Sequence, residues 1–188
     1  MALLATHTDK LRSRHDLARI TLRTRDQLAY VDDAAVAAGG PLLLDTGVYI
    51  HQLKGRTPVL LDHLIGVRQV NHSIVAVQEM LHAIGVLDPI DPRTEANVAV
   101  IRDVLDGIPT HRLYQPSRQA MADAAVYAGI LCRLRSYVKD RRMKALHDCT
   151  LFLQAREMGC TLVSANVVDF DLLQQLGPEV RLLFYEAS

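Results

Sequence analysis

Leu42-Leu43-Leu44-Asp45-Thr46-Gly47 is the stretch on which the fold turns. A short unbroken apolar run fits a strand buried on both faces, whereas a strand with one wet face alternates apolar and polar residues. Gly39-Gly40-Pro41 breaks the chain before this run, and Asp45-Thr46-Gly47 ends it. Working outward, four more segments have strand character: Val70 to Ile74, His111 to Gln115, Thr161 to Ser164 and Arg181 to Tyr185. Helical patterns lie between them over 58–69, 75–87, 93–106, 117–138 and 144–158. Asp91-Pro92 opens the third of these and Gly107 with Pro109 stops it, while Gly159 closes the last. Strands alternating with helices predict an α/β fold, a parallel sheet covered on both faces.

Ahead of the break, residues 8–38 read as one helix. Thr8 or Asp9 caps it, and Leu11, Leu17, Ile20, Leu22 and Leu28 recur at roughly helical spacing. Its basic residues (Lys10, Arg12, Arg14, Arg19, Arg23 and Arg25) are mixed with acids, as on a solvated helical face; a nucleic-acid arm is the alternative. The expected organisation is an N-terminal helical extension over 1–40 and an α/β domain over 41–188.

Composition narrows the class. The chain has 188 residues, 21 basic and 21 acidic side chains, and 49% hydrophobic content. That length and apolar fraction suit one domain with an appendage and exclude a disordered chain. No apolar run is long enough for a membrane span. The three cysteines, Cys132, Cys149 and Cys160, form neither a disulfide framework nor a C-x-x-C pair. Met1 to Ala5 is too short for a signal-peptide core, so a cytoplasmic location is expected. There is no P-loop, no G-x-G-x-x-G and no G-x-S-x-G. Glu79-x-x-His82 is half of a di-iron motif, with no second copy.

In open α/β sheets the ligand site lies beyond the carboxyl ends of the strands. Asp45 ends the first strand, Glu79 lies on the helix after the second, Asp148 lies near the start of the helix before the fourth, and Asn166 and Asp169 follow Ser164 at its end. Crowded carboxylates repel one another unless a cation intervenes. Mg²⁺ and Mn²⁺ take such hard oxygen ligands, and either can activate water against a phosphodiester. Helix caps and surface charges are the plain alternative for these acids. Asp45 fits that alternative least, because three leucines precede it.

These residues also carry a family resemblance. LLLDTGVYI (42–50), HSIVAVQEMLHAIG (72–85), MADAAVYAGIL (121–131), HDCTLFLQAREMGCTLVSANVVDF (147–170) and VRLLFY (180–185) resemble, in order and spacing, the motifs of PIN domains. The likeness is greatest to the VapC-like toxins of bacterial toxin–antitoxin pairs. It implies a PIN-like, five-stranded parallel sheet with helices on both faces. Asp45, Glu79, Asp148 and Asp169 match the family's catalytic, metal-holding acids, and Thr46, Ser164 and Asn166 match its supporting residues. The implied activity is Mg²⁺- or Mn²⁺-dependent hydrolysis of RNA, as an endoribonuclease toxin. The implied partners are an RNA substrate, a small antitoxin protein and a second copy of the chain in a homodimer, without a membrane.

One further segment bears on substrate. CRLRSYVKDRRMK (132–144) sets Arg133, Arg135, Lys139, Arg141, Arg142 and Lys144 against the single acid Asp140. Such a patch suits an RNA backbone, and a solvated helix end is the plain reading. Two other functions fit the same residues: a catalytically inactive PIN-fold RNA-binding or assembly protein, and a PIN nuclease with an RNA-processing or DNA-directed role.

Overall fold

The structure, a computed structural model, describes residues 20–188. Five strands form one all-parallel sheet: β1 (Leu42–Leu44), β2 (Val70–Ser73), β3 (Leu113–Tyr114), β4 (Thr161–Ser164) and β5 (Arg181–Phe184), in the order β3-β2-β1-β4-β5. β1 is central, with Leu42 opposite Val70 on one side and Thr161 on the other. This is why it reads as unbroken leucine: all three side chains are buried. Each contributes about 1.5–3 kcal/mol of apolar burial.

The pleat divides the core in two. Leu43, Leu162, Leu182 and Phe184 face one apolar cluster. It is completed by α6 (Arg118–Arg135), α7 (Arg142–Met158) and α8 (Val167–Leu176). Leu42, Leu44 and Val163 face the other, built on α2 (Thr46–Leu53), α3 (Val59–Val67) and α4 (Ile74–Gly85). Ile101 and Val104 of α5 (Thr94–Asp106) pack on its rim. Alternate residues of one strand therefore serve opposite layers, and the sheet is covered on both faces as expected.

The expected helices 58–69, 75–87, 93–106, 117–138 and 144–158 all form, within a few residues at each end. α7 stops where Gly159 adopts φ 62° and the Cys160 amide turns back to the Ala155 carbonyl at 3.0 Å. Two helices, α2 and α8, were not read from the sequence. Both are short, and each follows directly on a strand, so strand and helix patterns run together.

The single helix expected over 8–38 is not found in its described part; residues 8–19 lie outside the described residues. From residue 20 the chain is extended, with a 3₁₀ turn at Arg25–Gln27 and one short helix, α1 (Asp33–Ala37). Thr24 and Asp32 each start a new turn: Thr24 and Gln27 form a capping box, and Asp32 accepts from the Ala35 amide at 2.7 Å. Between these turns the Val31 amide donates to the Phe184 carbonyl at 2.8 Å, and the Phe184 amide donates to the Ala29 carbonyl at 2.9 Å. The segment thereby satisfies the open edge of β5, which a helix could not do. The Arg68 guanidinium holds the next stretch through the carbonyls of Ala35, Ala38 and Gly40. Among the described residues no helix is long and apolar enough to cross a membrane.

Candidate active site

Parallel strands place all their carboxyl ends on one edge, and the expected acids gather there. Asp45 directly follows β1 and stands at the N-cap position of α2, yet its side chain makes no capping bond. It accepts instead from the Ser164 hydroxyl at 2.6 Å. Ser164 is itself fixed at the end of β4, accepting from the Asn166 amide at 2.9 Å. The cap reading of Asp45 is therefore replaced by a buried hydrogen bond between neighbouring strand ends.

Glu79 lies on α4 and reaches the rim between two partners. The Thr46 hydroxyl donates to one oxygen, and His147 Nδ1 lies 3.0 Å from the other. Asp148 sits nearly two turns into α7 and is 1% exposed. Asp169, in the first turn of α8, is also buried. The Asn166 side-chain amide lies 3.1 Å from an oxygen of Asp148 and 3.1 Å from an oxygen of Asp169, so it ties the two carboxylates together. Asn166 also caps α8, its side-chain oxygen facing the Asp169 amide. The seven residues expected for the site gather at this edge in two hydrogen-bonded groups: Asp45, Ser164, Asn166, Asp148 and Asp169 in one, Thr46 and Glu79 in the other.

A cleft of about 390 Å³ opens here, lined by Asp45, Thr46, Glu79, Lys144 and Asn166, with Gly47, Ile50, His51 and Ala165. Its electrostatics are set by burial and like charge. Burial, and then the Asp45 charge, push the Asp148 carboxyl up to about 7 against the pull of Lys144. Burial likewise raises Asp45, opposed by the Ser164 bond and Lys144. Burial also works against the Glu79 charge, but the bonds from His147 and Thr46 outweigh it and hold Glu79 below its ordinary value.

Three neighbours had no assigned place among the acids in the sequence. Lys144 donates to both oxygens of Asp148, at 2.8 and 3.0 Å. His147 meets Glu79, and the Tyr137 hydroxyl donates to Asp169. Lys144 carried a readable signal, since it lies four residues before Asp148 on one helix. His147 and Tyr137 carried none, because their contacts join distant elements.

Hard carboxylate oxygens around excess negative charge suit Mg²⁺ or Mn²⁺ in donor chemistry. Among the described residues, however, no three His, Cys, Asp or Glu side chains are already gathered to hold one ion. Lys144 is the cation that stands against Asp148.

The six basic residues of 132–144 divide. Arg135, Arg141 and Lys144 line a hollow beside the acids, whereas Arg133 and Arg142 line a separate one with Cys132 and Leu146. Lys139, exposed in a 3₁₀ turn, lines neither of these hollows.

The same fold occurs in solved structures. A chain of the DNA-bound VapBC of Salmonella typhimurium is similar at a TM-score of 0.55 and 17% identity, covering 78% of this chain and 98% of its own. VapBC-1 of nontypeable Haemophilus influenzae is similar at 0.52 and 14%, covering 76% and 96%. FitAcB of Neisseria gonorrhoeae is similar at 0.51 and 14%, covering 76% and 96%. Identities this low define a fold, and that fold is the PIN-like α/β domain, in the form these VapBC and FitAcB structures share. No protein-family model matches the chain, and no curated protein does.

Proposed function

We propose that this chain is a divalent-metal-dependent endoribonuclease and the toxin of a toxin–antitoxin pair. The observation that carries the reading is the rim itself. Asp45, Glu79, Asp148 and Asp169 come from four separate elements and converge at the carboxyl edge of a parallel sheet, three of them buried. Buried, mutually repelling carboxylates cost stability unless they serve a cation or a reaction.

In this reading Asp45, Glu79, Asp148 and Asp169 hold Mg²⁺ or Mn²⁺. A bound ion supplies Lewis-acid chemistry, lowering the pKa of water and offsetting charge on the phosphate. Ser164 fixes Asp45, Thr46 and His147 fix Glu79, and Asn166 fixes Asp148 and Asp169. The partner would be a small antitoxin protein, as the resemblance of the sequence motifs to VapC-like toxins implies; the fold shared with a chain of the DNA-bound VapBC is in keeping with it. A homodimer and a cytoplasmic location belong to the same proposal.

The test is cleavage of structured RNA by the purified full chain. Cleavage is expected with Mn²⁺ or Mg²⁺, lost in excess EDTA and lost in Asp45→Ala. Growth arrest on induction, absent in Asp45→Ala, tests the toxin role. Equal cleavage by Asp45→Ala, or full activity in EDTA, would sink the nuclease reading. RNA binding without turnover at any divalent ion would favour the inactive RNA-binding alternative, for which Lys144 against Asp148 supplies a structural reason. Titration against RNA, single-stranded DNA and flap DNA separates a processing or DNA-directed nuclease.

A further inference from the structure

A second hollow, of about 220 Å³, adjoins the acidic cleft. Lys144 and Asn166 line both, so the two share a wall. The smaller one is made by the connection between α6 and α7. α6 ends on Ser136, whose left-handed φ of 51° reverses the chain. The Tyr137 amide then bonds back to the Cys132 carbonyl at 3.0 Å, and a 3₁₀ turn at Lys139–Arg141 leads into α7. The reversal gathers Arg135 and Arg141 about one ring: each guanidinium carbon lies 5.9 Å from the centroid of Tyr137.

The charge balance of this hollow is the inverse of its neighbour's. Three cations, Arg135, Arg141 and Lys144, face one carboxylate, Asp169. Asp169 is already engaged by the Tyr137 hydroxyl and the Asn166 amide, and Arg135 stands 3.9 Å from it. Among the described residues Arg141 has no carboxylate within ion-pair distance. A planar guanidinium left free in a concave, positive setting is shaped for a phosphate, which it can bind through two parallel hydrogen bonds.

We propose that this hollow is a phosphate subsite, in which Arg135 and Arg141 hold a backbone phosphate of an RNA strand beside the bond presented to the acidic cleft. Tyr137 sets the two guanidinium groups, and Lys144 marks the passage from one hollow to the other. The identity of the ligand rests on the nuclease reading; the subsite itself rests on the side chains described. Arg133 and Arg142, in the separate hollow of about 810 Å³, fall outside it and serve as controls.

The test is binding of fluorescein-labelled single-stranded RNA by the full chain in EDTA, where turnover plays no part. Arg135→Gln/Arg141→Gln is expected to weaken binding by about tenfold. Its salt dependence is expected to flatten by about 0.7 in log–log slope for each phosphate charge that is no longer neutralised. Arg141 is exposed and, among the described residues, has no ion-pair partner, so Arg141→Gln alone leaves folding out of the question and is expected to show part of the loss. Arg133→Gln/Arg142→Gln is expected to bind nearly as the unaltered chain does. Undiminished binding by the first two variants, or equal loss in the control pair, would overturn the subsite. Displacement of RNA by polyglutamate as readily as by unlabelled RNA would overturn it too, as a general polyanion patch. Arginine-dependent binding without cleavage in Mn²⁺ would sink the nuclease reading and leave the subsite standing.

Discussion

The ammonium of Lys144 lies 2.8 and 3.0 Å from the two carboxylate oxygens of Asp148, one turn further along the same helix. A pair at this spacing on a helix surface contributes only tenths of a kcal/mol. Here the carboxylate is buried and the lysine stem is largely exposed, so the lysine acts as the counter-ion of a buried charge. A divalent ion entering the cleft competes with it. Lys144→Met is therefore expected to bind Mn²⁺ more tightly near pH 8, on the order of tenfold, because a repelling unit charge is removed. Isothermal titration measures this directly, and weaker Mn²⁺ binding would show that Lys144 helps to build the metal site.

The same burial makes stability depend on pH. Asp148 is raised from 3.8 to about 7, first by burial and then by the Asp45 charge. In the folded protein it keeps its proton at a pH where the unfolded chain has lost it. Its stabilising contribution is full below about 4 and is lost as the pH rises through about 7. Asp45, also raised, acts in the same direction. Glu79, held below its ordinary value, acts in the opposite direction, and its contribution is lost only on acidification. The melting temperature in EDTA is thus expected to fall from about pH 5 to about pH 8. Asp148→Asn should flatten this fall and raise the melting temperature at pH 8. A pH-independent melting curve in the unaltered chain would contradict the buried-charge account.

Much of this was legible in the sequence because it depends on local pattern. Leu42-Leu43-Leu44 reads as a doubly buried strand whatever its neighbours are, and Gly159 marks the end of α7 by its own backbone. The acids could be assigned to one rim because a parallel sheet puts all carboxyl ends together. The N-terminal segment failed for the converse reason. Its leucine spacing fits a helix, but the backbone of Ala29 and Val31 is claimed by the edge of β5, an interaction between residues far apart in the chain. Lys144 was read as part of a basic patch; its i,i+4 spacing to Asp148 made the pair possible, and the fold realises it while sending Arg133 and Arg142 to another hollow.

Ser164 links two parts of the rim. Its hydroxyl donates to Asp45 at 2.6 Å while accepting from the Asn166 amide at 2.9 Å, and its side chain is fully buried. Ser164→Ala leaves both partners without it. The expected cost is about 1–3 kcal/mol in urea unfolding. Loss of the hydrogen bond also removes an influence that favours ionised Asp45. The variant should therefore hold Mn²⁺ less tightly near neutral pH. A loss of stability with unchanged Mn²⁺ affinity would make Ser164 a purely structural residue.

Arg23 anchors the segment before the sheet. Its backbone amide donates to one oxygen of Asp171 at 2.7 Å, and its Nε to the other at 2.5 Å. Its guanidinium also reaches the side-chain oxygen of Gln174 at 2.5 Å. Asp171 is completely buried on α8, the helix whose first turn carries Asp169. Removing the guanidinium strands a buried carboxylate, so Arg23→Met is expected to cost about 3 kcal/mol in urea unfolding. Arg23→Met/Asp171→Asn should be clearly more stable than Arg23→Met alone, because no unpaired charge remains. If the double variant proves as unstable as the single one, packing of the arginine stem and its bond to Gln174 hold the segment, and the ion pair does not.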